Sequence, residues 1–419
     1  MLAHIAQGLL GLSAFVAIAY ALSDDRSRAP WRALAISIAA QFVLALATLR
    51  VPQIQAALSW LSGGVDALKV ASDTGARFMF GYLAGGPTPY DLADPGSNFV
   101  VAFQVLPLVL VVSALSALLF HLGVLPRVIS LFAAALRRTF KLSGPLGFAA
   151  ASSVFLGIIE SPLLVKPYIA KMPRADLFAL MTCGMSTIAG TVLVLYAQVV
   201  GSVIDGAVGH LLVASVVSVP AALALSRIMI PPAEDAAEGD DAYVYDPGER
   251  TAIEATLDGV KDGVTMVVHI AAIIIVLFAF VSLINQALAI FPHSPGDPVT
   301  LQYLVSLPMR PLVWLAGIPW SEAAVAANLM ATKTVLNEFV AYLSMSKLPA
   351  GALSARSQLI MTYAMCGFAN LGSLGILAGG LGAAAPERRE EIVALATRAL
   401  LAGTLATLMT GAVIGIIHP

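Results

Sequence analysis

Eight stretches of the chain contain no Asp, Glu, Lys or Arg: residues 1–23, 33–49, 95–126, 177–204, 206–226, 263–296, 357–386 and 399–419. About 20 consecutive apolar residues are needed for a helix to cross the hydrocarbon core of a bilayer. The pattern therefore predicts eight transmembrane helices. The first contains Ala19-Tyr20-Ala21, which imitates a signal-peptide cleavage site, but no Lys or Arg precedes its long apolar stretch, so it reads as a membrane helix.

Composition agrees with this pattern. Of 419 residues, 59% are hydrophobic and 11% charged, and the mean hydropathy is +0.88. A soluble domain carries roughly 25% charged residues. A water-soluble globule, a secreted scaffold and a disordered chain are excluded. The net charge of −2 offers no basic field for nucleic acid, so no nucleic-acid partner is expected. The only cysteines, Cys183 and Cys366, lie inside apolar runs and do not suggest a disulfide framework.

Lys and Arg near span ends set the orientation. Arg26, Arg28 and Arg32 lie between the first two runs, and Arg127, Arg137, Arg138 and Lys141 follow the third. Lys171 and Arg174 precede the fourth, and Arg388 and Arg389 precede the eighth. With alternating spans all of these fall on one face, which is then cytoplasmic, with both termini outside. The acidic segment 234–250 falls on the same face, and acidic residues weigh little in this rule. Residues 51–83 and 125–141 mix apolar side chains with cations and read as amphipathic helices in the interface, the second setting Val128, Leu131, Phe132 and Leu136 against its four cations.

Two further apolar segments carry ions. Residues 143–170 contain Glu160 and Lys166; residues 319–346 contain Glu322, Lys333 and Glu338. One extra full span at either place would reverse the loops that follow and spoil the Lys/Arg bias. Each segment is therefore expected to enter and leave on the same side as a re-entrant hairpin, which survives only where protein or a cavity surrounds it. A carboxylate at that depth costs at least ~2.5 kcal/mol, which marks Glu160 and Glu338 as functional candidates. The structural alternative, ion pairs Glu160–Lys166 and Lys333–Glu338, has spacings of six and five residues rather than the helical i, i+4. Lys166 and Lys333 read as structural groups or as interfacial anchors that snorkel.

The chain repeats itself. Cys183-Gly184-Met185-Ser186-Thr187-Ile188 and Cys366-Gly367-Phe368-Ala369-Asn370-Leu371 share a pattern of cysteine, glycine, variable, small, polar and aliphatic, and each follows a Glu-bearing segment. Three spans separate the two hairpins, so they open to opposite sides. An inverted repeat of this kind is the architecture of secondary transporters that bind cargo at the midplane. It divides the chain into a scaffold (1–142), a first transport half (143–230), an acidic loop with a scaffold span and connector (231–318), and a second transport half (319–419). The small and polar residues inside the fourth and seventh runs fit local unwinding, although any single Gly could equally serve close packing.

Other chemistries lack support. No G-x-x-x-x-G-K-[ST] loop, H-E-x-x-H or G-x-S-x-G is present, the six His are scattered, and no charge ring or filter sequence marks a channel. No cofactor is expected, and an intramembrane enzyme is the weakest alternative.

G-I-I-E-S-P-L-L-V-K-P-Y at residues 157–168, N-E-F-V-A-Y at 337–342 and C-G-F-A-N-L-G-S at 366–373 closely resemble the concentrative nucleoside transporter family, of bacterial nucleoside permease type, along almost the whole chain. The resemblance implies an all-α membrane protein of eight spans and two re-entrant hairpins. It also implies a homotrimer, embedded in lipid in an inner membrane, importing a nucleoside with sodium or protons. By motif position it implies that Glu160 and Val192 touch the nucleobase, that Glu338, Asn370 and Ser373 hold the ribose hydroxyls, and that Phe368 offers an apolar face.

Two departures modify that expectation. Ile158 and Ile159 stand where the family usually has an amide and a hydroxyl reading the base, which predicts recognition by shape and apolar contact. A non-nucleoside cargo with a sugar-like diol is the alternative. Ser153 stands where sodium-coupled members have asparagine, so a candidate Na+ site of Ser153, Thr187 and the carbonyls of Leu156 and Ile188 has a weaker ligand. Proton coupling through Glu160 or Glu338 is favoured over sodium.

Overall fold

The computed structural model describes residues 2–91, 98–232, 251–294 and 297–418. The acidic segment 234–250 and the start of the third charge-free run, residues 95–97, lie outside the described residues. Apart from a two-stranded ribbon, Pro292–Ser294 with Asp297–Pro298, the described secondary structure is helical.

Among the described residues, seven helical stretches are long and apolar enough to cross a membrane: Leu2–Ala21, Trp31–Arg50, Val101–His121, Arg174–Val200, Ala207–Met229, Ala252–Leu288 and Pro386–Ile417. Numbered along the chain, the helices are α1 (Leu2–Ala21), α2 (Trp31–Arg50), α3 (Pro52–Phe80), α4 (Val101–Gln104), α5 (Pro107–His121) and α6 (Val124–Phe140). Then come α7 (Gly144–Ser152), α8 (Glu160–Leu164), α9 (Lys166–Ile169), α10 (Arg174–Ser186), α11 (Gly190–Val200) and α12 (Ala207–Met229). The rest are α13 (Ala252–Leu288), α14 (Leu301–Leu315), α15 (Ala323–Val335), α16 (Glu338–Ser346), α17 (Ala355–Met365), α18 (Leu371–Ala384) and α19 (Arg389–Ile417).

The expected seventh span, residues 357–386, is two shorter helices, α17 and α18, separated by an extended break. The fourth run is broken in the same way between α10 and α11. The break before α18 is chemically prepared: Asn370 has extended backbone and its side chain accepts from the Ser373 amide, satisfying one of the donors a helix start leaves free.

The sixth run proved too short. α13 has 37 residues and begins at a capping box in which Thr251 accepts from the Glu254 amide. At about 1.5 Å per residue it is about 55 Å long, against roughly 30 Å of hydrocarbon, so it must tilt or project. Charges at Asp258, Lys261 and Asp262 had hidden its first three turns from a count of charge-free residues.

Both amphipathic stretches are helices, α3 and α6. α6 starts after Gly123 (φ 72°) and stops at Lys141 (φ 51°), both left-handed. It buries Pro126, Ile129, Ala133, Leu136 and Phe140, while Val128 and Leu131, which the sequence reading had placed on its apolar face, are exposed.

The core lies around α19, which packs on α1, α10, α12, α17 and α18. α13 is different: it leans on α5, and most of its length, including Val268, Ile275 and Phe280, is exposed and apolar. The α5–α13 contact depends on Gly259 and Gly263, four residues apart. A Cβ on Gly259 would lie 2.8 Å from the Ser113 carbonyl oxygen and 2.9 Å from Ala114 Cα. Nothing lies within 4 Å of a Cβ on Gly75 in α3. Gly259→Ala is therefore expected to destabilise the protein by about 1–3 kcal/mol, whereas Gly75→Ala is neutral or stabilising by up to about 1 kcal/mol. Melting curves in detergent compare the two, and equal shifts would refute the packing argument.

Candidate functional site

Four chain breaks meet near the middle of the molecule. Two lie between α7 and α8 and between α15 and α16; the other two divide α10 from α11 and α17 from α18. The Gly190 amide donates to the Phe155 carbonyl at 2.9 Å, fastening the first break to the α10–α11 break. The Phe368 amide donates to the Thr187 carbonyl at 3.2 Å, which joins the two broken spans. Glycine is required at both contacts. A Cβ at Gly190 would sit 2.9 Å from the Phe155 oxygen, and one at Gly367 would sit 3.0 Å from the Met185 oxygen.

Glu338, first residue of α16, is 2% exposed. Its Oε1 accepts from the Tyr196 hydroxyl at 2.6 Å and its Oε2 from the Asn370 side-chain amide at 2.9 Å. The other end of Asn370 accepts from the Ser373 amide at 2.8 Å. Asn337 caps α16 by accepting from the Val340 amide. Glu338, Asn370 and Ser373, expected together, are therefore one hydrogen-bonded group. An ionised carboxylate has about four acceptor positions, so two donors leave room for a ligand hydroxyl.

Tyr196 carried no signal in the motifs, yet it joins α11 to Glu338 at the start of α16. It lies one helical turn beyond Val192 on the same face of α11. Its ring stacks on Phe339 at 6.1 Å and lies 5.7 Å from Tyr342. Val192 is buried and Phe368 partly buried beside this group.

Glu160 is placed differently. It lines a cavity of about 360 Å³ together with Phe120, His121, Gly157, Thr191 and Asp262. A Cβ on Gly157 would overlap its carboxylate, so that glycine lets the acid fold against the backbone. Ile158 and Ile159 do not line this cavity. Ile158 is 7% exposed and packs beneath Gly184, and Ile159 packs on Gly380 of α18.

Neither pair of the structural alternative is in direct contact. Lys166 is exposed, and among the described residues no salt bridge joins it to Glu160 or Lys333 to Glu338. Nor does Lys333 snorkel: it is fully buried and donates to Thr407 at 3.4 Å.

The residues named for sodium lie on the two breaks that Phe155 and Gly190 fasten together. Ser153 and Thr187 are buried, and their hydroxyls donate to the Ala150 and Cys183 carbonyls, leaving oxygen lone pairs free. Among the described residues neither the Leu156 nor the Ile188 carbonyl accepts a hydrogen bond. Two uncommitted carbonyls and two hydroxyls are a hard-oxygen set that fits an alkali cation. No group of three or more His, Cys, Asp or Glu that could hold a metal occurs among the described residues.

A buried polar group at crossed helix breaks, inside an all-helical apolar protein, defines an integral membrane transporter rather than an enzyme. Known proteins make the class specific. Residues 210–415 match the signature described as "Na+ dependent nucleoside transporter C-terminus", 10–83 the corresponding N-terminus, and 102–203 one described as "Nucleoside recognition". An uncharacterized transporter of Bacillus subtilis, YutK, is 33% identical over 98% of this chain and 99% of its own. The nucleoside permease NupC of Helicobacter pylori is 31% identical over 97% and 96%. CNTnw in an inward-facing substrate-bound state superposes with a TM-score of 0.87 at 31% identity, covering 99% of this chain and 97% of that one. A CNTnw variant in an outward-facing state gives 0.88 at 32%, covering 99% and 98%. The chain belongs to the concentrative nucleoside transporter family.

The packing predicts a labelling pattern. Cys183 and Cys366 are fully buried, so a water-soluble maleimide leaves both unmodified in the native protein, whereas Ser116→Cys, on the cavity wall, reacts. Mass spectrometry reads the outcome, and modification of the native cysteines at the rate of the introduced one would contradict this placement.

Proposed function

We propose that the chain imports nucleosides by ion-coupled alternating access, with proton coupling favoured over sodium. The observation that carries this reading is the Glu338–Asn370 pair. Buried, held by Tyr196 and the α18 cap, it retains acceptor capacity at the meeting point of the two repeat halves. A fixed carboxylate and amide of this kind suit a sugar diol, and such a site discriminates sharply against ligands lacking the hydroxyl.

On this reading the two α7–α8 and α15–α16 segments are re-entrant hairpins, and α10–α11 and α17–α18 are broken spans, giving eight spans in all with both termini outside. The halves 143–230 and 319–419 move against a scaffold made of 1–142 and 231–318. The protein works as a homotrimer in a bacterial inner membrane. Glu160 and Val192 meet the nucleobase, Phe368 adds an apolar face, and the alkyl side chains of Ile158, buried, and Ile159, partly buried, favour reading the base by shape. Protons are favoured because Ser153 is a weak sodium ligand and Glu160 lies at a cavity where it can exchange a proton.

Uptake into proteoliposomes tests both parts. Nucleosides are expected to accumulate under an acid-outside gradient, and Glu338→Gln to lower the rate by about tenfold or more at subsaturating nucleoside. A response to a sodium gradient alone would overturn the proton assignment. Failure to accumulate any nucleoside under either gradient would overturn the function.

A further inference from the structure

The two broken helices are not equivalent in charge. α8 begins with Glu160 and α16 with Glu338, but only the second unit has a cation in the preceding turn: Lys333 in the last turn of α15, where α7 has none. A helix C-terminus favours a positive charge and an N-terminus a negative one. Lys333 and Glu338 thus each sit at the helix end that suits them, on opposite sides of one break.

Lys333 is nevertheless poorly served by direct contacts. Its ammonium has three donors; it is 0% exposed, and its hydrogen bond to Thr407 on α19 is 3.4 Å long. The charged and titratable groups facing it are Glu338 and Cys366, while Glu338 faces Tyr196 on α11 as well as Lys333. A cation buried this completely either sheds its proton or is held by a compensating charge, and Glu338, across the break, is the carboxylate that acts on it.

We propose that Lys333 is a tethered counter-cation for Glu338, doing permanently in the second half what the coupling ion does transiently in the first. It keeps Glu338 an anion, and so a full acceptor, throughout the transport cycle. Lys333 is a positioning residue: it touches no cargo and acts through the carboxylate. Removing the ammonium leaves a lone buried charge that is relieved by neutralisation, and a neutral acid has one acceptor oxygen fewer for a sugar hydroxyl. The consequence for cargo rests on the reading that Glu338 receives ribose hydroxyls; the charge pairing does not.

Five purified proteins decide the matter: the unaltered chain, K333M, K333R, E338Q and E338Q/K333M. In detergent without nucleoside, K333M is expected to lower the melting temperature, and its effect in the E338Q background to fall to less than half. An equal effect in both backgrounds would overturn the proposal whatever Glu338 binds. Should K333M alone be too unstable to purify, recovery of folded E338Q/K333M supports the pairing, and loss of the double variant while E338Q folds refutes it.

The second readout is the ratio of uptake KM values for uridine and its 2′- and 3′-deoxy analogues. K333R should keep the discrimination within about threefold of the unaltered chain and K333M should lose about tenfold or more, the scale of one buried hydroxyl contact. Discrimination unchanged in K333M would overturn the proposal. Absence of discrimination in the unaltered chain would instead remove the ribose reading of Glu338, with the melting comparison still deciding the pairing.

Discussion

A helix that stops inside a membrane leaves as many as four amides and four carbonyls without partners, and lipid supplies none. Much of the middle of this molecule answers that constraint. Asn370 and Asn337 cap the helices that restart after two of the breaks, the Phe155 carbonyl takes the Gly190 amide, and the Thr187 carbonyl takes the Phe368 amide. The two carbonyl contacts, and the Asn370 side-chain amide that donates to Glu338, bring one break against another. Among the described residues the Leu156 and Ile188 carbonyls are left without a hydrogen bond.

The same requirement explains why glycine and small polar residues collect in the fourth and seventh runs. Backbone that bonds to backbone must approach within about 3 Å, and Gly190 and Gly367 stand where a Cβ would already be that close to a carbonyl oxygen. The packing is therefore dictated by the polar bookkeeping of the breaks, and the apolar surroundings of α10, α12 and α19 exclude the water that would otherwise compete for those groups.

How much of this was legible in sequence differs from residue to residue. Charge-free runs located α1, α2, α12 and much of α19, because a membrane helix needs nothing but apolar length. They failed for α13, whose first turns carry Asp258, Lys261 and Asp262, and for residues 357–386, where an uncharged stretch conceals an extended break. The paired Cys-Gly motifs did find both broken spans, and the rarity of acids at depth found Glu160 and Glu338. Tyr196 escaped because a tyrosine in an apolar helix looks like packing until its hydroxyl is seen 2.6 Å from a carboxylate on another element. For Lys333 the sequence left two readings open, a structural group or a snorkelling anchor, and only the fold, which buries it fully, removes the second.

The repeat also suggested two equal acids, and the structure makes them unequal. Glu338 has both oxygens occupied by side-chain donors, and a buried cation stands across its break; it is built to keep one state. Glu160 lies against its own backbone at the lip of a cavity, beside Asp262 and without a lysine in the preceding turn. The two Glu-bearing segments thus place one carboxylate inside a filled hydrogen-bond group and the other at a cavity wall. The asymmetry extends to charge, with a single buried lysine placed five residues before one glutamate and missing before the other.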